Sequence, residues 1–273
     1  MKNFIETFKY IGKNLIFVLG FAILPACFVG GLLQPFSIIN FLVNYKNLTV
    51  NNFGDILKNL FITNWATYLN CVLGIILIVL IVSAFVGNIE NHFRSGKLNL
   101  SSTMNFVNNT VLSVLVYALI LILGYVLIKF LLGLIIFVLH IVFGRLNLTP
   151  TVAQYVISVV VSFVVLIFSG YLFSYVLLAM PDTNTCGYSI RTSLSDASDL
   201  VNKNPWQTSL LIALPFVVVL PLQVLGIMFN FQTISAIVGM IIIFMYYPVL
   251  SYTLYFDYSR LERYDNVKHR YYK

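Results

Sequence analysis

The side chains that could do chemistry inside the apolar parts of this chain are few and widely spaced. Lys129 stands in the middle of the longest apolar run. There it could bind a lipid phosphate or an anionic solute, or carry its stem along a helix and its ammonium to an interface. Gln34, Asn70, Ser83 and Gln223 offer amide and hydroxyl groups that could line a cavity or satisfy backbone groups. With Lys129 they are the cavity or ligand candidates. Glu90 and His92 sit together, but no third or fourth ligand is spaced to join them, so a metal is not expected. His140 reads as an interfacial hydrogen-bonding residue. No Asp or Glu lies deep in an apolar run, which argues against a carboxylate relay for protons or sodium. The chain has no phosphate-binding glycine-rich lysine loop, no HExxH, no CxxC and no nucleophile elbow. No catalytic residue and no cofactor are therefore expected, and an enzyme is the least favoured reading. Cys27, Cys71 and Cys186 read as reduced small hydrophobes or bystanders rather than a disulfide framework.

The elements that must position these groups follow from composition. Of 273 residues, 60% are hydrophobic and 9% charged, against about 25% charged in a soluble domain. Mean hydropathy is +0.93. The composition excludes a soluble globular domain, a disordered chain and a secreted disulfide scaffold. It predicts an all-α polytopic transmembrane bundle, because a backbone in lipid must satisfy its own polar groups. Six runs are long enough to span: Leu15–Phe36, Trp65–Gly87, Val111–Phe143, Val152–Met180, Trp206–Phe229 and Ile234–Phe256. Val111–Phe143 would be roughly 50 Å long as a helix. It reads as one tilted helix that extends past the membrane, with a kinked or re-entrant segment near Gly124 or Lys129 as the alternative. Pro25, Pro215, Pro221 and Pro248 fall in or near the runs and predict helix kinks with freed carbonyls.

Charge orients the bundle. With both termini cytoplasmic, the inner segments 1–14, 88–110, 181–205 and 257–273 hold 12 Lys and Arg, against 3 outside (Lys46, Lys58 and Arg145). That is a positive-inside pattern, and it predicts a cytoplasmic (plasma) membrane protein with cytoplasmic N and C termini. Anionic headgroups account for the basic excess, so nucleic acid is not an expected partner.

Lys13-Asn14 and Leu24-Pro25 recur as Lys203-Asn204 and Leu214-Pro215, 190 residues on, and half that offset lands on Asn108-Asn109. The chain thus suggests a threefold parallel helix-hairpin repeat over 3–90, 99–180 and 189–260. Amphipathic segments precede the spans, with apolar residues at Phe4, Phe8 and Ile11, and again at Ile190, Leu194, Ala197 and Val201. Such helices lie in the cytoplasmic interface or pack on the bundle. Asp182 and Asn184 stand where they could cap the second one.

The segment Tyr175–Glu262 reads YVLLAMPD, then SIRTSLSDASDLVNKNPWQTSLLIALPF, then YYPVLSYTLYFDYSRLE. It resembles a family of bacterial six-span membrane proteins of uncharacterised role. It is also similar to the non-catalytic membrane domain attached to some glycerophosphodiester phosphodiesterases. The matching stretches are Ser193–Trp206 and Tyr246–Tyr258. The phosphodiesterase barrel is absent, so the resemblance implies architecture and a lipid-related or envelope role, and no active-site residue. Two readings of function follow. One is a lipid-handling or transport bundle with a cavity between repeats. The other is a non-enzymatic scaffold or accessory subunit for a membrane or envelope protein. Membrane lipids are expected partners in both.

Overall fold

Apolar runs that must close their own backbone hydrogen bonds become helices. The computed structural model describes residues 2–33, 35, 36, 39, 53–61, 65–145, 160 and 170–265, and every regular element among them is helical. In chain order these are α1 (Lys2–Lys13), α2 (Leu15–Phe28) continued by a π-helical turn (Val29–Leu33), and α3 (Phe53–Leu60). Then come α4 (Trp65–Ser95), a short 3-10 turn (Leu100–Ser102) and α5 (Thr103–Arg145). A helix described over 170–186 is α6. The chain ends with α7 (Ile190–Lys203), α8 (Pro205–Met228) and α9 (Gln232–Tyr258). Among the described residues, five helices are long and apolar enough to cross a membrane: Leu15–Leu32, Val72–Ser95, Leu100–Leu139, Pro205–Met228 and Gln232–Tyr258. Most of the expected span Val152–Met180 lies outside the described residues, and its described end continues to residue 186.

The centre of the bundle is α9. Every residue from Tyr246 to Phe256 is buried, so this stretch is enclosed on all sides, and α1, α2, α4 and α8 pack around it. Small residues set the closest approaches. A Cβ on Gly30 would stand 2.7 Å from the Ile237 backbone and 2.8 Å from Ala236, so only glycine lets the π-turn lie against α9. Helix α5 is one continuous helix of 43 residues, about 65 Å long, with no break at Gly124 or Lys129. Helix α6 runs antiparallel to it. Ser113 donates to Asn184, Tyr117 meets Ala179 and Thr183, and Gly124 faces Leu172.

The amphipathic helices pack on protein, with two differences from the sequence reading. In α7 the buried stripe is Ser193, Ala197 and Val201, with Ile190 and Leu194 half-buried beside it. Its N-cap is Ser189, whose hydroxyl accepts from the Thr192 N–H at 3.4 Å. Asp182 and Asn184 do not cap it. They lie inside α6, where Asp182 accepts from the Tyr255 hydroxyl and Asn184 donates to the Tyr252 hydroxyl. In α1 the buried face is Asn3, Thr7, Tyr10 and Ile11, whereas Phe8 is 47% exposed. Packing against α9 selected the polar side of the helix, because Asp257 and His92 wait there for partners.

Those partners clasp the two chain ends together. Lys2 and Asn3 both donate to the Asp257 carboxylate, at 2.8 and 3.0 Å. Arg263 donates to Glu6 at 2.7 Å and to Asp265, and its guanidinium lies 4.2 Å from the Phe93 ring centre. Helix α1 therefore sits at the C-terminal end of α9.

Candidate functional site

Lys129 is positioned by α5 and spent on α3. Its Nζ donates to the Leu60 carbonyl at 2.8 Å, and the ammonium stands over the Tyr125 and Phe61 rings at 4.7 and 5.5 Å. Leu60 ends α3, where carbonyls lack helical partners and the dipole is negative, so a cation is the fitting cap. The rest of α3 explains why it lies there. Ile56 and Leu60 are fully buried, as are Leu132 and Ile136 of α5, and Phe53 meets Phe130 and Phe137 edge-on or tilted. Gly133 leaves room for Leu57 and Leu60.

Gln223 joins α8 to α9. Its Nε2 donates to the Ser235 carbonyl at 2.7 Å, and the Ser235 hydroxyl donates back to Oε1 at 3.2 Å. Gly226 and Gly239 make the space, since a Cβ at either would collide with Ser235 or Gln223. Ser83 is buried in α4 and donates to the Val79 carbonyl at 2.6 Å, while Thr110 of α5 donates to the Ser83 carbonyl. Lys129, Gln223 and Ser83 thus belong to three different helix pairs. Gln34 lies outside the described residues, and so does the side chain of Asn70, whose backbone is in α4.

All four prolines lie within continuous helices: Pro25 in α2, Pro215 and Pro221 in α8, Pro248 in α9. Pro215 has no N–H for the carbonyl four residues back, that of Leu211. The Tyr246 hydroxyl donates to that carbonyl at 3.0 Å, and Tyr247 donates to the next one, Ile212, at 2.7 Å. Both tyrosines are buried. Tyr246 supplies from α9 the one donor that Pro215 withholds, and Tyr247 adds a second bond to the Ile212 carbonyl, whose helical donor, the Phe216 N–H, the proline does not remove. Spacing gave no hint of this, because the partners are 35 residues apart.

The remaining polar groups gather at the clasped end. Glu90 pairs with Arg94 at 3.4 Å, and His92 Nδ1 lies 2.9 Å from the Tyr10 hydroxyl. Burial pushes the Tyr10 phenol above the ordinary tyrosine range, so it stays protonated, and the His92 tautomer sets which of the two donates. The Asp257 hydrogen bond raises the Lys2 ammonium above the usual lysine value. Among the described residues, no group of three or more His, Cys, Asp or Glu is arranged to hold a metal ion. The arrangement can hold helices together. Comparison with protein-family models, curated proteins and solved structures finds no match for this chain.

Proposed function

We propose that this chain is a non-catalytic multipass membrane protein that serves as a scaffold or accessory subunit, crossing the bilayer six times with both ends on the cytoplasmic face. The observation that carries the reading is where the polar side chains go. Lys129 and Gln223 hydrogen-bond backbone carbonyls across two separate helix contacts, at 2.8 and 2.7 Å, and Ser83 donates at 2.6 Å to a carbonyl of its own helix. A solute path needs such groups to converge on one space. Even parity of the crossings is supported by the clasp, since Lys2 and Asp257 can meet only if residues 2 and 257 lie on the same side of the membrane. Five long apolar helices and an inward-running α6 would make six. The outward side chains suit lipid or a partner helix: Ile16 is 91% exposed and Val217 72%. A lipid-handling role is the second reading, favoured by an apolar groove beside Lys13.

Thiol labelling in membranes tests the closed interior. In a chain with Cys27, Cys71 and Cys186 replaced, Ser83→Cys and Gln223→Cys should resist a water-soluble maleimide until the protein is denatured. Labelling of both in the native membrane would contradict a filled bundle and restore the solute path.

A further inference from the structure

The Lys-Asn pairs seen in the sequence mark two elbows. Asn14 separates α1 from α2 and Asn204 separates α7 from α8, each with a backbone outside both the helical and the extended regions, φ −117° with ψ 31° and φ −141° with ψ 58°. Just beyond each elbow the surface turns apolar: Ile16 is 91% exposed, and Trp206 is 83% exposed. A lysine followed by exposed apolar or aromatic side chains at the start of a spanning helix marks the boundary between headgroups and acyl chains. Beside the first elbow is a groove of about 750 Å³ walled by Lys13, Ile16, Phe17, Phe21, Leu98 and Leu100. Its size is in the range of a ligand site, roughly 300–1,000 Å³.

Two glycines keep the groove open. Gly12 and Gly20 belong to its wall, and a Cβ at either would meet nothing within 4 Å. Glycine weakens a helix interior, and here it gains no close packing in return. What it preserves is empty space along an apolar wall. Among the described residues the wall contains a lysine and no carboxylate, and Lys9 and Lys97, neighbours in sequence of the wall residues Gly12 and Leu98, are exposed. The second elbow differs. Its cavity, about 630 Å³, is walled mostly by polar residues, Lys203 and Arg260 among them with an Asp257 already paired to Lys2, and so offers no apolar wall for an acyl chain.

We propose that the elbow between α1 and α2 binds one anionic phospholipid of the surrounding bilayer, its phosphate at Lys13 and an acyl chain in the groove over Gly20. This rests on the reading that α2 spans the membrane. A basic residue at the headgroup level gives a preference of about five-fold for an anionic lipid over a zwitterionic one.

The test uses the full chain in phosphatidylcholine vesicles doped with brominated phosphatidylglycerol or brominated phosphatidylcholine. Ile16→Trp, with Trp65 and Trp206 replaced by Phe, reports on the groove. Brominated phosphatidylglycerol should quench the Ile16→Trp chain at about one-fifth the concentration that brominated phosphatidylcholine requires. Lys13→Gln should erase the preference, as should Gly20→Leu, which fills the groove at a site with room for it. Equal quenching by the two lipids at the groove, or a preference that survives both substitutions, overturns the site while leaving α2 in the membrane. No quenching by either lipid overturns the membrane placement as well.

Discussion

If Tyr246 repairs the backbone at Pro215, then removing its hydroxyl and removing the proline must interact. Tyr246→Phe keeps the ring and its packing against Phe8 and Tyr247 but leaves the Leu211 carbonyl without the 3.0 Å donor. A buried carbonyl without a partner costs about 1–3 kcal/mol, while interhelical hydrogen bonds in membranes average about 0.6 and reach about 1.7 kcal/mol. A loss of about 1 kcal/mol is therefore expected. Pro215→Ala restores an N–H four residues after Leu211, so in that background the same Tyr246→Phe change should cost almost nothing. The double-mutant cycle should show a coupling of about 1 kcal/mol, measured by reversible unfolding in mixed detergent micelles. Equal costs of Tyr246→Phe in the two backgrounds would refute the repair.

Three further outcomes are expected. Gly30→Ala should destabilise by about 1–3 kcal/mol, because its Cβ overlaps the Ile237 backbone. Its neighbour Gly31→Ala, which meets nothing within 4 Å, should be tolerated in the same unfolding assay. Lys129→Met should cost about 1–2 kcal/mol and lower hydrogen-exchange protection of the α3 amides, since the Leu60 carbonyl loses its cationic donor. The clasp gives a pH dependence of known sign. The raised Lys2 value means its contribution is fully present below the unfolded lysine pKa of about 10.4 and fades as pH rises through the folded value. Hydrogen exchange of α1, corrected for its intrinsic pH dependence, should show constant protection from about pH 6 to 9, with loosening only in more alkaline solution.

Apolar length and continuity made the helices legible in the sequence. Leu15, Trp65, Trp206 and Ile234 all fall at or within two residues of where their helices begin. Hydropathy could not find the far ends, because α4 runs on to Ser95 and α5 begins at Thr103, where helix continues beyond the apolar run. Asn14 and Asn204 both stand at helix breaks, whereas Asn108 and Asn109 lie inside α5. The partners of the polar residues were not legible. Lys129 reaches a carbonyl 69 residues away, and Lys2 reaches a carboxylate 255 residues away. A one-dimensional pattern ranks residues by type and carries no record of which carbonyls folding leaves without donors. The polar face of α1 was not legible for the same reason: Asp257 and His92 turn Asn3 and Tyr10 inward.

The proposed even number of crossings requires both ends of the chain on one face of the membrane, and reporters fused at the two ends measure this directly. A pair of fusions that is active only in the cytoplasm should be active at both ends, and a pair active only outside should be silent at both. Ends on opposite sides of the membrane would separate Lys2 from Asp257 and Glu6 from Arg263, and would contradict the bundle described by these contacts.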